Sequence, residues 1–322
     1  MKRLLLIVAV SLLSLPSVSQ YNWDYGLTAG GANYLGDIGG KEQTRRDFIW
    51  DMNLNQTNIA FGAYGRYKLS KRLSLLANFT YLQINDSDSN TSNPARRARN
   101  LNFRNRIFEL GLRGELTIYY DNDVGGKGYY NPDFKLYLFG GVSVFRHNPQ
   151  GQIRFDPTGR FDDTWYDLRS FETENRGNEE YNSYGYYNVA LPAGIGIYFT
   201  FNKMWRIGWE LSWRTTFTDY LDDISTVYGD PTLMSPEAAA FSSQSHVALI
   251  QEINDQDAGS IFDHQWNGLE NPTKRGDPTN NDSYITSQFT LGRVIRGRSK
   301  FYRSKSSWLN TRNGARKSRA KF

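Results

Sequence analysis

The chain has 322 residues, a formal net charge of +5 and a mean hydropathy of −0.62. It contains no cysteine, which excludes disulfides and thiolate chemistry, and it is too polar for a helical membrane protein. Aromatic residues make up 15% of the sequence, a composition that a barrel with a polar interior and long polar loops accommodates.

The first 19 residues have the pattern of a secretory signal peptide. Lys2 and Arg3 supply a positive start, an apolar run follows, and small residues precede the expected cleavage before Gln20. The run is shorter than the ~18 apolar residues that a spanning helix needs. We therefore expect residues 1–19 to be removed and the rest to be extracytoplasmic, either in a membrane or as a soluble secreted protein.

Segments of alternating apolar and polar residues predict β-strands along the rest of the chain. In one of them, Phe108, Leu110 and Leu112 alternate with Glu109 and Arg113, so each face of the strand carries one kind of side chain. Eight such segments are found, at 23–34, 57–69, 72–84, 105–120, 134–146, 187–201, 204–217 and 283–293. Their length is that of strands that cross a membrane in a closed barrel.

The sixth segment, 187–201, is less regular because it contains Pro192. Proline cannot donate a hydrogen bond to a neighbouring strand, and in sheets it is confined to edges, strand starts and bulges. We therefore expect a β-bulge at this position.

Charged residues of both signs share one face of several predicted strands, which favours an enclosed polar interior. The expected charge network of the lumen consists of Arg66, Glu109, Arg113, Glu115, Glu210 and Arg214. A barrel of eight strands has an interior just wide enough for side chains to fill, so we expect ion pairs across the lumen and no open channel. The alternative is a soluble, lipocalin-like barrel whose apolar face points inward, with Trp205, Trp209 and Trp213 in its core.

The connections between the predicted strands differ sharply in length. Residues 70–71 and 202–203 form tight connections, and 121–133 is a connection of medium length. The long connections are 35–56, 85–104, 147–186 and 218–282. Outer-membrane barrels have short periplasmic turns and long extracellular loops, so this pattern predicts that both ends of the barrel chain face the periplasm.

Four sequence blocks follow one another along the chain: WDYGLTAGGANYLGDIGG (23–40), ARNLNFRNRIFELGLRGEL (98–116), LPAGIGIYF (191–199) and WELSWRTTFTDYLDDISTVYGD (209–230). In this order they resemble the PorG-like outer-membrane β-barrels of the type IX secretion and gliding machinery of Bacteroidota. The expected fold is all-β: an eight-stranded antiparallel transmembrane β-barrel (outer-membrane, OmpA-like) with long extracellular loops and a basic C-terminal tail.

The resemblance also implies a non-enzymatic function in protein transport. No cofactor is expected, because the sequence has no phosphate loop, zinc spacing or dinucleotide fingerprint in a convincing context. The expected partners are a periplasmic ring lipoprotein, an associated ring subunit of the secretion machine and outer-membrane lipid. Neither nucleic acid nor a small-molecule substrate is expected. A barrel hydrolase and a diverged surface-interaction barrel are the alternative functions.

The C-terminal end of the sequence is strongly basic. The expected division of the chain is a signal peptide at 1–19, a barrel with its loops at 20–292 and a basic periplasmic tail at 293–322. The tail carries eleven Lys and Arg and no acid, whereas residues 20–292 carry 25 basic and 33 acidic residues, a net charge of −8. Charge segregated in this way indicates an interaction with a partner.

The tail is predicted to dock onto an acidic periplasmic ring or a lipid surface. The residues expected to bind are Arg296, Arg298, Lys300, Arg303, Lys305, Trp308, Arg312, Arg316, Lys317, Arg319 and Lys321. Arginine and aromatic side chains dominate binding hot spots. A solvated, disordered end is the alternative, and the extracytoplasmic location disfavours a nucleic-acid-binding tail.

Candidate catalytic and metal-binding residues lie in the predicted loops. The three histidines of the chain are His147, His246 and His264. A hydrolase would use one of them as a base, but no spacing specifies a triad. The paired Asp222 and Asp223 read as a structural feature at a strand end. Residues 86–90 begin like a calcium loop, but Thr91 and Arg97 stand where Gly and the bidentate Glu belong, so no metal site is expected.

Overall fold

The computed structural model of the chain describes eight stretches. These are residues 23–39, 54–91, 93–121, 133–154, 160–174, 184–201, 204–256 and 274–295. The expected signal peptide, the tail from Arg296 onward and His264 lie outside them.

The described stretches form ten strands, of which eight are long enough to build a barrel wall. In chain order they are β1 (Trp23–Leu35), β2 (Asn58–Lys68), β3 (Leu73–Ser87), β4 (Asn102–Asp121), β5 (Asp133–Arg146), β6 (Pro149–Gly151), β7 (Tyr166–Asp167), β8 (Tyr187–Phe201), β9 (Trp205–Thr216) and β10 (Ser283–Ile295). The short β6 pairs with the first residues of β4, and β7 pairs with β6. Each of the eight predicted strands is therefore present, with ends that differ by a few residues at most.

The eight long strands close into a ring. Each pairs antiparallel with the next along the chain, β5 passing directly to β8. Closure comes from β1 and β10, which pair along their whole length from Trp23↔Ile295 to Leu35↔Ser283. In a bilayer every backbone N–H and C=O must be satisfied internally, and a closed barrel satisfies them without an edge. The predicted eight-stranded antiparallel barrel is confirmed.

The outer face of the wall is apolar and the inner face is polar. Leu27, Leu110 and Phe289 point outward and are 64%, 65% and 68% exposed, while the charged residues between them are buried inside. An exposed apolar belt of this extent faces lipid rather than water. The molecule is therefore an outer-membrane type of transmembrane barrel. The lipocalin-like alternative is wrong, because the tryptophans proposed for its core, Trp205 among them, lie on the outer face.

The two ends of the barrel differ. At the turn end, β2 and β3 are joined by a tight turn in which the Leu69 and Ser70 N–H groups donate to the Leu73 carbonyl, both at 3.0 Å. β1 begins and β10 finishes at this same end. An outward aromatic pair, Trp23 and Tyr67 with ring centres 4.7 Å apart, lies there, as aromatic girdles do at membrane interfaces. The opposite, loop end carries the long connections.

Pro192 is accommodated differently from the expectation. β8 keeps one register with β5, from Gly140↔Ala193 to Ser143↔Ala190, and the ladder is interrupted only between these pairs. The register shift of the wall lies instead in β4, between Thr117 and Tyr119. The predicted bulge at Pro192 is wrong, because a gap in the ladder is sufficient where the proline has no N–H to donate.

Helical structure in the loops is short. The helices are α1 (Pro94–Arg99), α2 (Pro236–Ser242) and α3 (Val247–Gln256), with single 3₁₀ turns at Leu54–Gln56, Asp88–Asn90 and Leu168–Ser170. Asn93 and Ser235 cap α1 and α2, and their side-chain oxygens accept from the N–H groups of Ala95 and Ala238 at 3.0 and 3.1 Å. Such caps satisfy N–H groups that a helix start leaves open.

Within the part of the chain that is described, no helix is long and apolar enough to cross a membrane.

A charge placed on the outer wall is expected to destabilise the barrel. Leu112 lies near the middle of β4 and faces outward, so Leu112→Arg should lower the free energy of unfolding in lipid vesicles by about 2–4 kcal/mol. Urea titration followed by tryptophan fluorescence measures this. Val247→Arg on α3, exposed and outside the wall, is the matched control and should change stability by less than about 0.5 kcal/mol. Equal effects of the two variants would contradict a lipid-facing belt.

Candidate functional site

The lumen near the turn end is filled by a network of buried ion pairs. Arg66 Nε lies 2.7 Å from Glu115 Oε2, and Arg113 Nη2 donates to both carboxylate oxygens of Glu210 at 2.6 and 2.7 Å. The two pairs are joined, because Arg113 Nη2 also lies 3.4 Å from Glu115 Oε1. The structure thus brings four of the six expected lumen residues into one cluster.

The remaining two expected residues form a second cluster closer to the loop end. Arg214 Nε lies 2.6 Å from Glu109 Oε2, and Arg214 Nη1 donates to Thr286 Oγ1 at 2.5 Å. Tyr284 OH donates to the same Glu109 oxygen at 2.7 Å. All of these side chains are buried, so Glu109 is a fully compensated charge inside the wall.

Three further members of the turn-end network were not among the expected site residues. Asp24 forms ion pairs with Arg66, at 3.5 Å, and with Arg206, and Tyr137 OH donates to Glu210 at 2.5 Å. Arg206 shares the inward face of β9 with Glu210, so the alternation of side chains already placed it inside. Asp24 and Tyr137 could be found the same way, by following the inward positions of β1 and β5.

The mouth of the barrel at the loop end is closed by an apolar plug. Leu221 and Ile224, from the connection between β9 and β10, are fully buried against inward residues of the wall that include Tyr34, Phe103 and Ile107. Asn105 Nδ2 donates to the Leu221 carbonyl at 2.8 Å. The lumen is therefore filled by charged side chains toward the turn end and by apolar side chains of a loop at the loop end.

A proton-sharing contact holds the plug to the wall. The Tyr34 hydroxyl oxygen lies 2.7 Å from both Asp222 Oδ2 and Asp282 Oδ1. Because one O–H can donate only one hydrogen bond, one of the two carboxyl groups must carry a proton and donate to Tyr34. The other oxygens accept backbone N–H groups, including that of Leu221 at Asp282 Oδ2, at 2.9 Å. We call Tyr34, Asp222 and Asp282 the carboxyl latch.

Burial raises the pKa of the acidic groups around the latch. The pKa of Asp222 is raised to about 8, first by burial and then by the charge of Asp37. Burial likewise raises the pKa of Asp219 to about 9 and holds those of Asp37 and Asp282 above their usual range. Asp222 therefore has the structural role expected for it at the end of β9. It helps to hold the plug to the wall through the proton of the carboxyl latch.

Two buried arginines connect the loops to one another. Arg99 Nε lies 2.8 Å from Asp88 Oδ2 and its Nη1 donates to the Arg275 carbonyl at 2.6 Å. Arg275 Nη1 in turn lies 2.8 Å from Glu174 Oε1 and donates to the Asp223 carbonyl at 2.6 Å. These contacts join connections from three different strand pairs into one cap over the plug.

Two candidates that the sequence offered for catalysis or calcium binding, His147 and Asp88, lie in other contacts. Asp88, from the calcium-like segment, is engaged by Arg99 and by the Leu101 N–H. His147 packs between Phe145 and a tyrosine, and burial lowers its pKa to about 4. In the described ranges no group of three or more His, Asp or Glu side chains is arranged to hold a metal ion.

Comparison with known proteins gives a family match and distant structural likenesses. Residues 2–168 match the model of a family described as "Domain of unknown function (DUF6089)". No curated protein matches the chain.

The similar solved structures are bacterial barrels. They include the N-terminal β-barrel domain of Pseudomonas aeruginosa OprF (9% identity, 86% of this chain and 98% of that chain covered, TM-score 0.30), Neisserial surface protein A (6%, 85% and 97%, 0.33) and OprG from Pseudomonas aeruginosa (7%, 87% and 99%, 0.32). The barrel assignment rests on the closed strand pairing described above.

Removing one partner of a buried lumen ion pair is expected to destabilise the barrel more than removing both charges. Arg214→Met leaves Glu109 buried without its cation and should lower the free energy of unfolding by about 3–5 kcal/mol. Adding Glu109→Gln, which keeps a partner for Tyr284, should restore more than half of that loss. Lys274→Met, which breaks the exposed 3.2 Å pair with Asp277, should cost less than about 1 kcal/mol.

Urea unfolding in lipid vesicles measures all three variants. Two results would contradict the compensation of Glu109 by Arg214. They are a free energy of unfolding of Arg214→Met within 1 kcal/mol of the parent value, and a double variant that is less stable than the single one.

The cap is expected to loosen as the pH rises. An unfolded Asp titrates near ~3.9, whereas the folded pKa of Asp222 is about 8, so the folded state holds the extra proton between these values. The latch therefore contributes its full share of the free energy of unfolding below about pH 4. That contribution falls by about 1.4 kcal/mol per pH unit for each proton held and is lost as the pH rises toward 8. Amide hydrogen exchange of residues 217–228, corrected for intrinsic rates, should report falling protection from pH 6 to pH 9.

Asp282→Asn tests the latch because its amide can donate to Tyr34 while its oxygen accepts the Leu221 N–H. This variant should flatten the pH dependence of exchange, whereas the exposed Asp162→Asn should leave it as in the parent protein. A pH dependence unchanged by Asp282→Asn would refute the latch.

Proposed function

The chain belongs to the DUF6089 family, and we propose that it is a non-enzymatic outer-membrane component of a type IX protein secretion system that anchors or docks the periplasmic ring. Three properties of the chain support the proposal: a filled barrel, a basic tail that leaves the barrel at its turn end, and the PorG-like sequence blocks. Of these, the position and charge of the tail carry the most weight.

The filled lumen favours a role that depends on surfaces rather than on transport through the barrel. Buried pairs such as Arg113–Glu210 cross the lumen, and the plug residues Leu221 and Ile224 close its mouth. A protein or a solute that passed through this barrel would have to break several buried ion pairs at once, and breaking each costs about 3–5 kcal/mol. The protein therefore acts by holding other components at the membrane.

The tail follows the last residue of the wall at the turn end. β10 finishes at Ile295, beside Trp23 at the start of β1. In outer-membrane barrels the end with short turns faces the periplasm, so we place the tail in the periplasm. The tail carries ten basic residues from Arg296 onward, whereas residues 20–292 carry a net charge of −8.

The composition of the tail suits a protein partner with an acidic face. Lys and Arg supply charge, and Trp308 with Phe301 and Tyr302 supplies aromatic side chains of the kind that dominate hot spots. A periplasmic ring lipoprotein and its associated ring subunit are the partners that we assign to this surface. The tail residues lie outside the described part of the chain, so their role rests on sequence alone.

The ordered cap supports a second candidate, a barrel that binds partners at the cell surface. The cap contains its own aromatic cluster, in which Phe241 stacks on Phe171 with ring centres 4.9 Å apart. If the loop end faces outward, this cap is the part of the molecule that an extracellular partner meets first.

Truncation of the tail separates the two candidates. The truncated protein should end at Ile295 rather than at the expected boundary near Arg293, because Val294 is 6% exposed and its N–H donates to the Met204 carbonyl at 2.8 Å. Ring subunits should co-purify with the full-length protein from detergent-extracted outer membranes and should be lost on truncation, as read by mass spectrometry.

A matched variant replaces the ten basic tail residues by Gln and keeps the aromatic ones. Loss of the ring subunits with both variants assigns docking to the charge of the tail. Retention of ring subunits by the truncated barrel, or failure of the full-length protein to capture any, would sink the docking proposal. Capture of surface proteins alone, unaffected by truncation, would favour the second candidate.

A further inference from the structure

Four arginines lie together on the outside of the barrel at the loop end. Arg104 and Arg106 extend the outward face of β4 beyond Phe108, and Arg146 extends that of β5 beyond Val144. Phe108 pairs with Arg146 across the two strands, which makes Arg106 and Arg146 diagonal neighbours about 7–8 Å apart at their Cα atoms. With Arg169, these residues form what we call the arginine rim.

Aromatic rings hold the rim in place. The Arg104 guanidinium lies over the Trp165 ring at 4.3 Å. Tyr186 is shared by two arginines, with Arg169 at 4.1 Å and Arg146 at 5.8 Å from the ring centre. Stacking of this kind positions a guanidinium without neutralising its charge, and it leaves the edge N–H groups available for an anion.

No carboxylate among the described residues compensates the rim charges. Arg104 Nη2 donates to Gln150 Oε1 at 2.7 Å and Arg169 Nε donates to the Tyr184 carbonyl at 2.6 Å, both neutral acceptors. Asp167, on the adjacent β7, accepts from the Gln150 amide at 2.7 Å instead. In the described ranges none of the four rim arginines forms an ion pair.

The rim contrasts with the arginines of the lumen and with Arg99 and Arg275 of the cap. Arg66, Arg113 and Arg214 in the lumen are each paired with a carboxylate, as are the two buried arginines of the cap. Four arginines without a carboxylate partner in the described ranges therefore lie side by side where the apolar belt ends and the membrane surface begins. The chemistry that fits this position is a phosphate on a lipid, whose acyl chains cover the belt while its headgroup reaches the guanidinium groups.

We propose that the arginine rim binds the phosphorylated headgroup of an anionic lipid in the leaflet at the loop end. The apolar residues Phe108 and Val144 contact the acyl chains of this lipid, and Arg106 and Arg146 bind its phosphate, with the stacked Arg104 and Arg169 on either side. This site depends on the barrel spanning a membrane and is independent of the secretion role and of the tail.

Lipid titration of the full-length protein in a neutral detergent tests the proposal. The probes are diphosphorylated lipid A, its monophosphorylated form and phosphatidylcholine, with bound lipid counted by native mass spectrometry. Arg106→Gln with Arg146→Gln should weaken lipid A binding at least about tenfold and leave phosphatidylcholine binding unchanged. The monophosphorylated form should bind more weakly than lipid A to the parent protein.

The matched control is Lys71→Gln with Arg72→Gln, which removes the same charge from exposed positions at the turn end. It should leave lipid A binding within twofold of the parent value. Heat-modifiable migration on gels verifies that each variant is folded.

Three outcomes would overturn the proposal. They are a change of less than twofold for the rim variant, an equal loss for the control, and displacement of lipid A by an equal concentration of inorganic phosphate. The last outcome would mean that the site takes a free anion rather than a lipid.

Discussion

The pairing of β1 with β10 is the constraint from which the other features of the molecule follow. Because lipid offers no hydrogen bonds, the backbone must close on itself, and it closes from Trp23↔Ile295 to Leu35↔Ser283. Eight strands give a lumen so narrow that side chains fill it. Inward charges are then stabilised by partners within the lumen. Acidic and basic residues of the wall accordingly form two ion-paired clusters, and the apolar residues of the belt are turned outward to lipid.

Closure also explains why the loop end is built as a second small core. The narrow mouth leaves room for a few side chains, and Leu221 and Ile224 occupy it. Their loop then carries Asp222 into a buried position beside Asp282, where the shared contact with Tyr34 requires a proton. The plug, the latch and the buried arginines Arg99 and Arg275 form one polar and apolar unit. Such a unit is suited to keeping the barrel sealed.

The arginines of the lumen and those of the rim have different partners. Lumen arginines such as Arg113 meet carboxylates at 2.6 Å, whereas rim arginines such as Arg106 face outward and pair with no carboxylate of the described residues. The anchoring role that we propose draws on this contrast, because a barrel that is sealed inside meets other molecules at its surfaces.

The sequence by itself determined the eight strands, the face on which each side chain lies and six members of the lumen network. These follow from a period of two residues, which is local and needs no partner. Only the tertiary structure decided which charges meet. Arg113 and Glu210 are 97 residues apart, and their contact depends on strand register and on the curvature of the closed wall. The same holds for Asp24 with Arg206, for the latch, and for the ladder gap that accommodates Pro192. Alternation assigns a side chain to the inside or the outside, but the height at which it meets another is set by how the strands are staggered around the barrel.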